Sequence, residues 1–368
     1  MNKSKLAVTI LPIILIFTLV YIFTSSENES FINIPQEHKH RGVCWVAGPS
    51  QLNAKALKTL SVHNVNWISQ TPFGWQRGFD NPEIGTIHKT KSENSRAWWG
   101  ERDEGIQSTT RMAREAGIKT ILKPHIWLND ENGKWRGEIK MKSEADWKKW
   151  FEEYSNFILH YAKLAEKEKI EMFCIGTELH QTCIDRDADW RILIAKIREV
   201  YSGDLTYAAN FSDEYHDVLF WDELDYIGIQ AYFPLVKGEA PTLEEVRAGW
   251  KSPMKELQKF SNKYKKPILF TEVGYKSTLD AGIEPWIWPS REGVEARKSI
   301  HSEETQATLY KGLFAEVWNQ PWLAGIHIWK WFPDGPSNRR RQQEFNIDFT
   351  PQNKMAEDVI SGAFNKIK

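Results

Sequence analysis

The chain has 368 residues, 48 basic against 49 acidic side chains and only three cysteines. Balanced charge offers no global attraction for nucleic acid, and three irregularly spaced cysteines support neither a disulfide framework nor a zinc site. The outlying number is 18 Trp beside 11 Tyr and 18 Phe; flat aromatic faces stack on the C–H faces of pyranose rings, and in large α/β folds they also serve as packing.

Lys3 and Lys5 precede an apolar run from Leu6 to Phe23. Residues 1–23 therefore read as an export segment, near the lower limit of the roughly 17–25 residues that a membrane span needs. No small-x-small cleavage motif stands out and no cysteine follows for lipidation, which favours an uncleaved membrane anchor over a signal peptide. The protein is expected to be exported, and either membrane-anchored, secreted or periplasmic. Residues 24–40 read as a polar linker with His38 and His40 solvated, followed by one domain over residues 41–368.

From Arg41 onward, strand-like runs alternate with helical patterns. Strands are predicted at Arg41–Val46, Val65–Gln70, Ile118–His125, Glu171–Thr177, Leu205–Asn210, Leu224–Ala231, Pro267–Thr271 and Gly325–Trp329. Runs this apolar read as strands buried on both faces, with Cys44 and Cys174 as small buried hydrophobes. Helices are predicted to begin near Gln51, Asp103, Ser143, Asp187, Asp213, Thr242, Glu303 and Asn353. The clearest carries Trp147, Trp150, Phe151, Tyr154, Phe157, Ile158 and Tyr161 at i, i+3, i+4 spacing behind Ser143-x-x-Asp146, a capping signal. Such alternation predicts an α/β protein, a single (β/α)8 TIM barrel with long loops on the C-terminal face, where barrel active sites form. The rival doubly wound sheet lacks a Gly-rich phosphate turn after the first strand.

Glu178 and Glu272 each stand one residue past an apolar run, at the predicted ends of strands four and seven. A barrel brings such carboxylates face to face at one rim, which is what glycoside hydrolysis requires. A retaining mechanism needs them about 5–5.5 Å apart and an inverting one about 6.5–9.5 Å. A structural ion pair explains one such glutamate as well as catalysis does; for two, flanked by aromatics, catalysis is the better reading. The other strand ends carry Trp75, Lys123, His125, Asn210, Gln230, Tyr232, Tyr275 and Trp329, groups that hydrogen-bond hydroxyls or stack on sugars. Tyr232 and Tyr275 could donate to the strand-seven carboxylate. Strand alternation lets only one of Trp329 and Trp331 face a cleft, and Trp329 is the expected sugar platform. Lys123 and His125 point the same way and are expected either to touch substrate or to form an ion pair. Trp286-Ile-Trp288 could close one end of a cleft or form a positive subsite. Asp185-x-Asp187-x-Asp189 lacks the Gly and Glu of a calcium loop and reads as a helix start. Arg339-Arg340-Arg341 reads as a solvated loop. No cofactor, metal or nucleic-acid partner is expected.

Several strings resemble glycoside hydrolase family 113, the β-mannanases, within the retaining (β/α)8 clan. They are Cys174-Ile-Gly-Thr-Glu178-Leu, Thr206-Tyr-Ala-Ala-Asn210, Asp225-Tyr-Ile-Gly-Ile-Gln-Ala-Tyr-Phe-Pro234, Phe270-Thr-Glu272-Val-Gly-Tyr275, Trp329-Lys-Trp331-Phe-Pro-Asp-Gly335 and Asp348-Phe-Thr-Pro-Gln352. The resemblance implies Glu178 as acid/base, Glu272 as nucleophile and a polysaccharide or oligosaccharide substrate. Thr177 stands where most of the clan has Asn, leaving Asn210 to meet the sugar 2-hydroxyl. Gln230 stands where the family string has an acidic residue. The alternatives are a retaining hydrolase of another β-linked polysaccharide, such as glucan or xylan, and a non-catalytic carbohydrate-binding barrel.

Overall fold

The computed structural model describes residues 32–87, 98–289, 300–333 and 346–365. The predicted export segment, residues 1–23, and the basic run at residues 339–341 lie outside the described residues. Among the described residues no helix is long and apolar enough to cross a membrane.

The strands are β1 (His40–Trp45), β2 (Trp67–Gln70), β3 (Phe73–Arg77), β4 (Ile84–Thr86), β5 (Lys119–Leu122), β6 (His125–Asn129), β7 (Met172–Thr177), β8 (Asp204–Asn210), β9 (Tyr226–Gln230), β10 (Ile268–Val273) and β11 (Leu323–Trp331). Eight of them close into a parallel barrel in the order β1-β11-β10-β9-β8-β7-β5-β2, so β7 and β10 are its fourth and seventh strands. The helices α1 (Ala54–Val62), α2 (Asp103–Glu115), α3 (Glu144–Glu168), α4 (His180–Asp185), α5 (Asp187–Arg198), α6 (Glu214–Asp217), α7 (Leu243–Tyr264), α8 (Glu303–Glu316) and α9 (Met355–Asn365) follow the strands.

Two apolar layers result. A small inner cluster of Trp67, Ile121, Met172, Cys174, Ala208, Leu269 and Ala324 fills the barrel, and a larger one joins the strands to the helices. Helix α3 shows how: Ser143 caps it by accepting from the Asp146 amide at 3.1 Å, and its Trp147, Trp150, Phe151 and Tyr154 stripe is buried. This is the face that the i, i+3, i+4 pattern marks.

Three features depart from the sequence reading. The predicted strand Ile118–His125 is two strands, because Pro124 cannot donate to a ladder and breaks the run. Its last residue, His125, begins β6, which pairs with β3, as β3 pairs with β4, in a separate three-stranded sheet where the sequence predicts loop. The end of the predicted linker is also part of the barrel: Lys39 Nζ donates to the Trp318 and Gln320 carbonyls at 2.6 and 2.7 Å. His40, expected in solvent, is instead buried. It stacks on Trp67 at 3.8 Å and meets His327 at 3.3 Å, while His327 meets Ser69 at 2.7 Å. Gly42 makes room, since a Cβ there would lie 2.4 Å from the His327 ring.

This pair gives the fold an acid-sensitive floor. Burial, with Lys119 adding to it, pushes His40 down to about 3, and burial holds His327 well below its ordinary value. A histidine that must stay neutral contributes stability above its unfolded pKa of about 6.5, and that contribution is lost as pH falls towards the folded value. Between pH 7 and pH 4 the wild type should therefore lose about 2–4 kcal/mol more unfolding free energy than His40→Phe, which keeps a ring on Trp67 but cannot protonate. Denaturant unfolding at the two pH values measures this, and equal losses would exclude His40 as the source.

Candidate active site

The C-terminal ends of the barrel strands open into a cavity of about 940 Å³. Trp45, Phe73, Trp98, Trp127, Trp135, Trp286, Trp288, Trp329 and Phe349 line it, together with Glu178, Glu272, Asn210, Tyr232 and His125. Much of the tryptophan excess is therefore spent on this surface.

Glu272 lies within β10 and is almost fully buried. Its Oε1 accepts from Lys123 Nζ at 2.5 Å, and its Oε2 from the Tyr232 hydroxyl at 2.9 Å. Lys123, just past β5, has no exposure and also donates to the Thr271 carbonyl at 3.2 Å. Burial opposes its charge, but the Glu272 carboxylate beside it prevails and holds the ammonium above its ordinary value. Lys123 is thus the ion-pair partner of Glu272, the second of the two roles expected for it, and is not among the residues that line the cavity.

His125 has the opposite fate. Burial, with Lys123 and Arg136 adding to it, keeps the ring well below its ordinary value and neutral. Its Nε2 is 3.8 Å from Glu272 Oε1, too far to bond, and has no hydrogen-bond partner among the described residues. A neutral ring with an idle nitrogen faces the cavity.

Glu178 follows β7 directly, and its amide donates to the Ala208 carbonyl at 2.9 Å. Its φ of 51° is left-handed, a conformation that non-glycine residues rarely adopt and that clusters at functional sites. Oε2 accepts from Arg136 Nη2 at 2.8 Å and Nε at 3.2 Å, and Oε1 accepts from Asn210 Nδ2 at 2.8 Å. The Asn210 carboxamide is fixed in turn, because its Oδ1 accepts from the Ser212 amide and hydroxyl, both at 3.0 Å.

A third carboxyl braces this group. Glu214 on α6 is fully buried, and accepts from the Tyr207 hydroxyl at 2.5 Å and from the Asn210 amide at 2.6 Å. Tyr207 accepts in turn from the Leu179 amide at 2.7 Å. The residue after Glu178 and the residue that holds Glu178 are thereby tied to one acid. Burial pushes Glu214 up to about 8, with the two donated hydrogen bonds opposing it.

The remaining expected site residues divide. Trp329 lines the cavity, 6.3 Å from Trp288, while Trp331 is buried against His63 at 5.2 Å, as alternation requires. Tyr275 does not reach Glu272: the chain turns outward after β10, the Gln306 amide holds the Tyr275 carbonyl, and the ring packs on Tyr310 at 5.2 Å. Gln230 is buried in the barrel wall, where its Oε1 accepts from Thr271 Oγ1 at 3.0 Å, so it is not a cavity contact. Trp75 lies on β3 beyond the cavity lining. Arg136 and Glu214 are absent from the sequence reading. Arg136 opens a short 3-10 turn where nothing local separates it from other arginines, and Glu214 gives only the signal of a carboxylate in the first turn of a short helix.

The model of Glycoside Hydrolase Family 113 matches residues 49–354. Among solved structures, the chain is similar to a GH113 β-mannanase from Alicyclobacillus acidocaldarius in complex with ManMIm, with 27% identity, TM-score 0.73, 92% of this chain and 100% of that one. It is also similar to a GH113 β-1,4-mannanase solved as a complex, with 25% identity, TM-score 0.72, 89% of this chain and 99% of that one. A β-D-glucuronidase of Dictyoglomus thermophilum, at 15% identity and TM-score 0.56, with 89% of this chain and 51% of that one, shares the fold. No curated protein matches.

Removing one partner of a buried ion pair leaves the other charge uncompensated. Lys123→Met should therefore cost about 3–5 kcal/mol of stability, and the double change Lys123→Met with Glu272→Leu should recover most of it. Urea unfolding of both variants tests the pair; equal destabilisation by the single and double changes would refute it.

Proposed function

The chain belongs to glycoside hydrolase family 113, and on that premise we propose that it cleaves β-1,4-mannosidic linkages in mannan, glucomannan or manno-oligosaccharides. The reaction is a retaining double displacement with Glu178 as acid/base and Glu272 as nucleophile. The observation that carries this reading is two carboxyls opening into one aromatic cavity from separate, differently built hydrogen-bond networks. The two GH113 neighbours are described as a β-mannanase and a β-1,4-mannanase, which supports mannan over glucan or xylan.

In the first step Glu272 attacks the anomeric carbon while the departing oxygen takes a proton from Glu178. In the second, Glu178 takes a proton from water as the water oxygen displaces Glu272. Lys123 and Tyr232 keep Glu272 aimed, and the buried ammonium favours the carboxylate that leaves in the second step. Glu178 accepts three hydrogen bonds and donates none, an arrangement suited to its role as base. Two of those donors sit on Oε2 and one on Oε1, so the fourth in-plane lone pair of the carboxyl, on Oε1, is left for the proton it carries in the first step. His125, with its idle nitrogen, suits a sugar hydroxyl, and Trp329 beside Trp288 suits a ring face. Export by a signal peptide or an N-terminal anchor belongs to the same reading, on the sequence of residues 1–23.

The full chain should release reducing sugar from mannan and glucomannan, with the first product keeping the β configuration by proton NMR. Glu178→Ala should lose about 10²–10⁴-fold on mannan and far less on an aryl mannoside whose leaving group needs no proton. Glu272→Ala should be inactive on both. No hydrolysis of mannan, glucomannan, cellulose or xylan would overturn the enzyme reading, and turnover of cellulose or xylan alone would move the substrate class.

A further inference from the structure

The sheet of β4, β3 and β6 stands apart from the barrel, and its two faces differ sharply. On β3 the even residues point inward. A Cβ on Gly74 would lie 3.0 Å from the Phe157 ring of α3, and Gln76 Oε1 accepts from Trp150 Nε1 of the same helix at 3.0 Å. Those two contacts lock the strand, so Phe73, Trp75 and Arg77 face away from α3. Parallel pairing sets Phe73 beside His125, Trp75 beside Trp127 and Arg77 beside Asn129. Residues paired in this way share a face.

The outward face is therefore an aromatic strip with a direction. It starts at His125, next to Glu272, and passes to Phe73, whose ring lies 5.5 Å from His125 and 6.0 Å from Trp127. It then leaves the cavity. Trp127 is 56% exposed and Trp75 38% exposed, and beyond them Arg77 and Asn129 offer hydrogen-bonding groups to solvent. Phe73, His125 and Trp127 line the cavity while Trp75 does not, so the strip crosses its rim. Single exposed tryptophans need no explanation. Two set side by side on a locked sheet, continuous with the wall beside the nucleophile, do.

We propose that this face is a binding platform for the substrate polysaccharide outside the catalytic cavity, with consecutive pyranose rings lying on Trp127 and Trp75. The occupant follows from the chemistry of the strip. It carries no charge before Arg77, which suits a neutral, hydroxyl-rich chain. It is two strands wide and about 13 Å long from Phe73 to Arg77, small beside the roughly 800 Å² that a protein partner covers on each side. Flat rings on a rigid support suit flat ligands. The proposal rests on the glycosidase reading and extends it: a platform that holds chain beyond the cavity favours long substrates and cleavage within the chain.

The test compares wild type with Trp75→Ala and Trp75→Phe in the full chain, on soluble glucomannan and on mannotriose. The ratio of kcat/KM on polymer to that on trisaccharide should fall about tenfold in Trp75→Ala, roughly 1.4 kcal/mol, mainly through KM, and Trp75→Phe should restore part of it. Trp127→Ala should change the ratio in the same direction. Thermal unfolding of each variant separates misfolding from lost binding. A ratio unchanged in both alanine variants, or equal losses on both substrates, overturns the platform. Retardation of the same variants in gels containing soluble glucomannan, cellulose derivative or xylan reads binding without turnover. Wild-type retardation that Trp75→Ala abolishes, in a protein that hydrolyses none of these, would uphold the platform while the catalytic reading falls.

Discussion

A charge pair buried under the cleft is the constraint on which the rest of the site depends. Lys123 has no contact with solvent, and a lone ammonium there would cost several kcal/mol. It is tolerable because Glu272 sits on it at 2.5 Å. The converse holds as well: Glu272 is inside β10, and its carboxylate is aimed by Lys123 and Tyr232. The barrel must supply both residues from different strands at one depth, and its parallel closure does so. His125 records the cost, since the same burial and the same cation leave it neutral.

The opposite wall is built on different principles. Glu178 leaves its strand in a left-handed turn and is gripped by Arg136, in the short 3-10 turn after β6, and by Asn210, the last residue of β8. Nothing of this grip is as deep as the Lys123 pair, and its rigidity is borrowed from Glu214, Tyr207 and Ser212 behind it. One carboxylate is held by a fully buried ammonium and the other by a partly exposed guanidinium within a hydrogen-bonded lattice. That asymmetry fits the two different roles proposed for them, nucleophile for Glu272 and acid/base for Glu178.

What the sequence made legible follows from which physical signals are local. The barrel strands were readable because burial on both faces writes a continuous apolar run, and α3 because one buried stripe writes a 3.6-residue period. Glu178 and Glu272 were readable because each follows or ends such a run, and Trp329 because strand alternation separates it from Trp331. The β3–β4–β6 sheet was missed because its strands are short and its outer face breaks the alternation of apolar and polar with exposed tryptophans. Gln230 and Tyr275 were misplaced because the end of a strand does not say whether the chain turns towards the cleft or away from it. Arg136, Glu214 and the burial of His40 depend on contacts between distant segments, and no spacing encodes those.

The first strand has one further consequence. His40 pairs with Gly325 of β11, and Lys39 is held by carbonyls at Trp318 and Gln320. The barrel therefore cannot close until nearly the whole chain has been made, and β1 waits with an unpaired edge on each side until β2 and β11 arrive. Contacts of this sequence separation are slow to form, and open edges invite pairing with other chains. A nascent chain halted after β10 would carry both Glu178 and Glu272 and still lack the last stave, leaving β10 with a bare edge and β1 without its seam. Activity in this architecture comes only with completion, and the interval before it belongs to whatever keeps the half-built barrel from its neighbours.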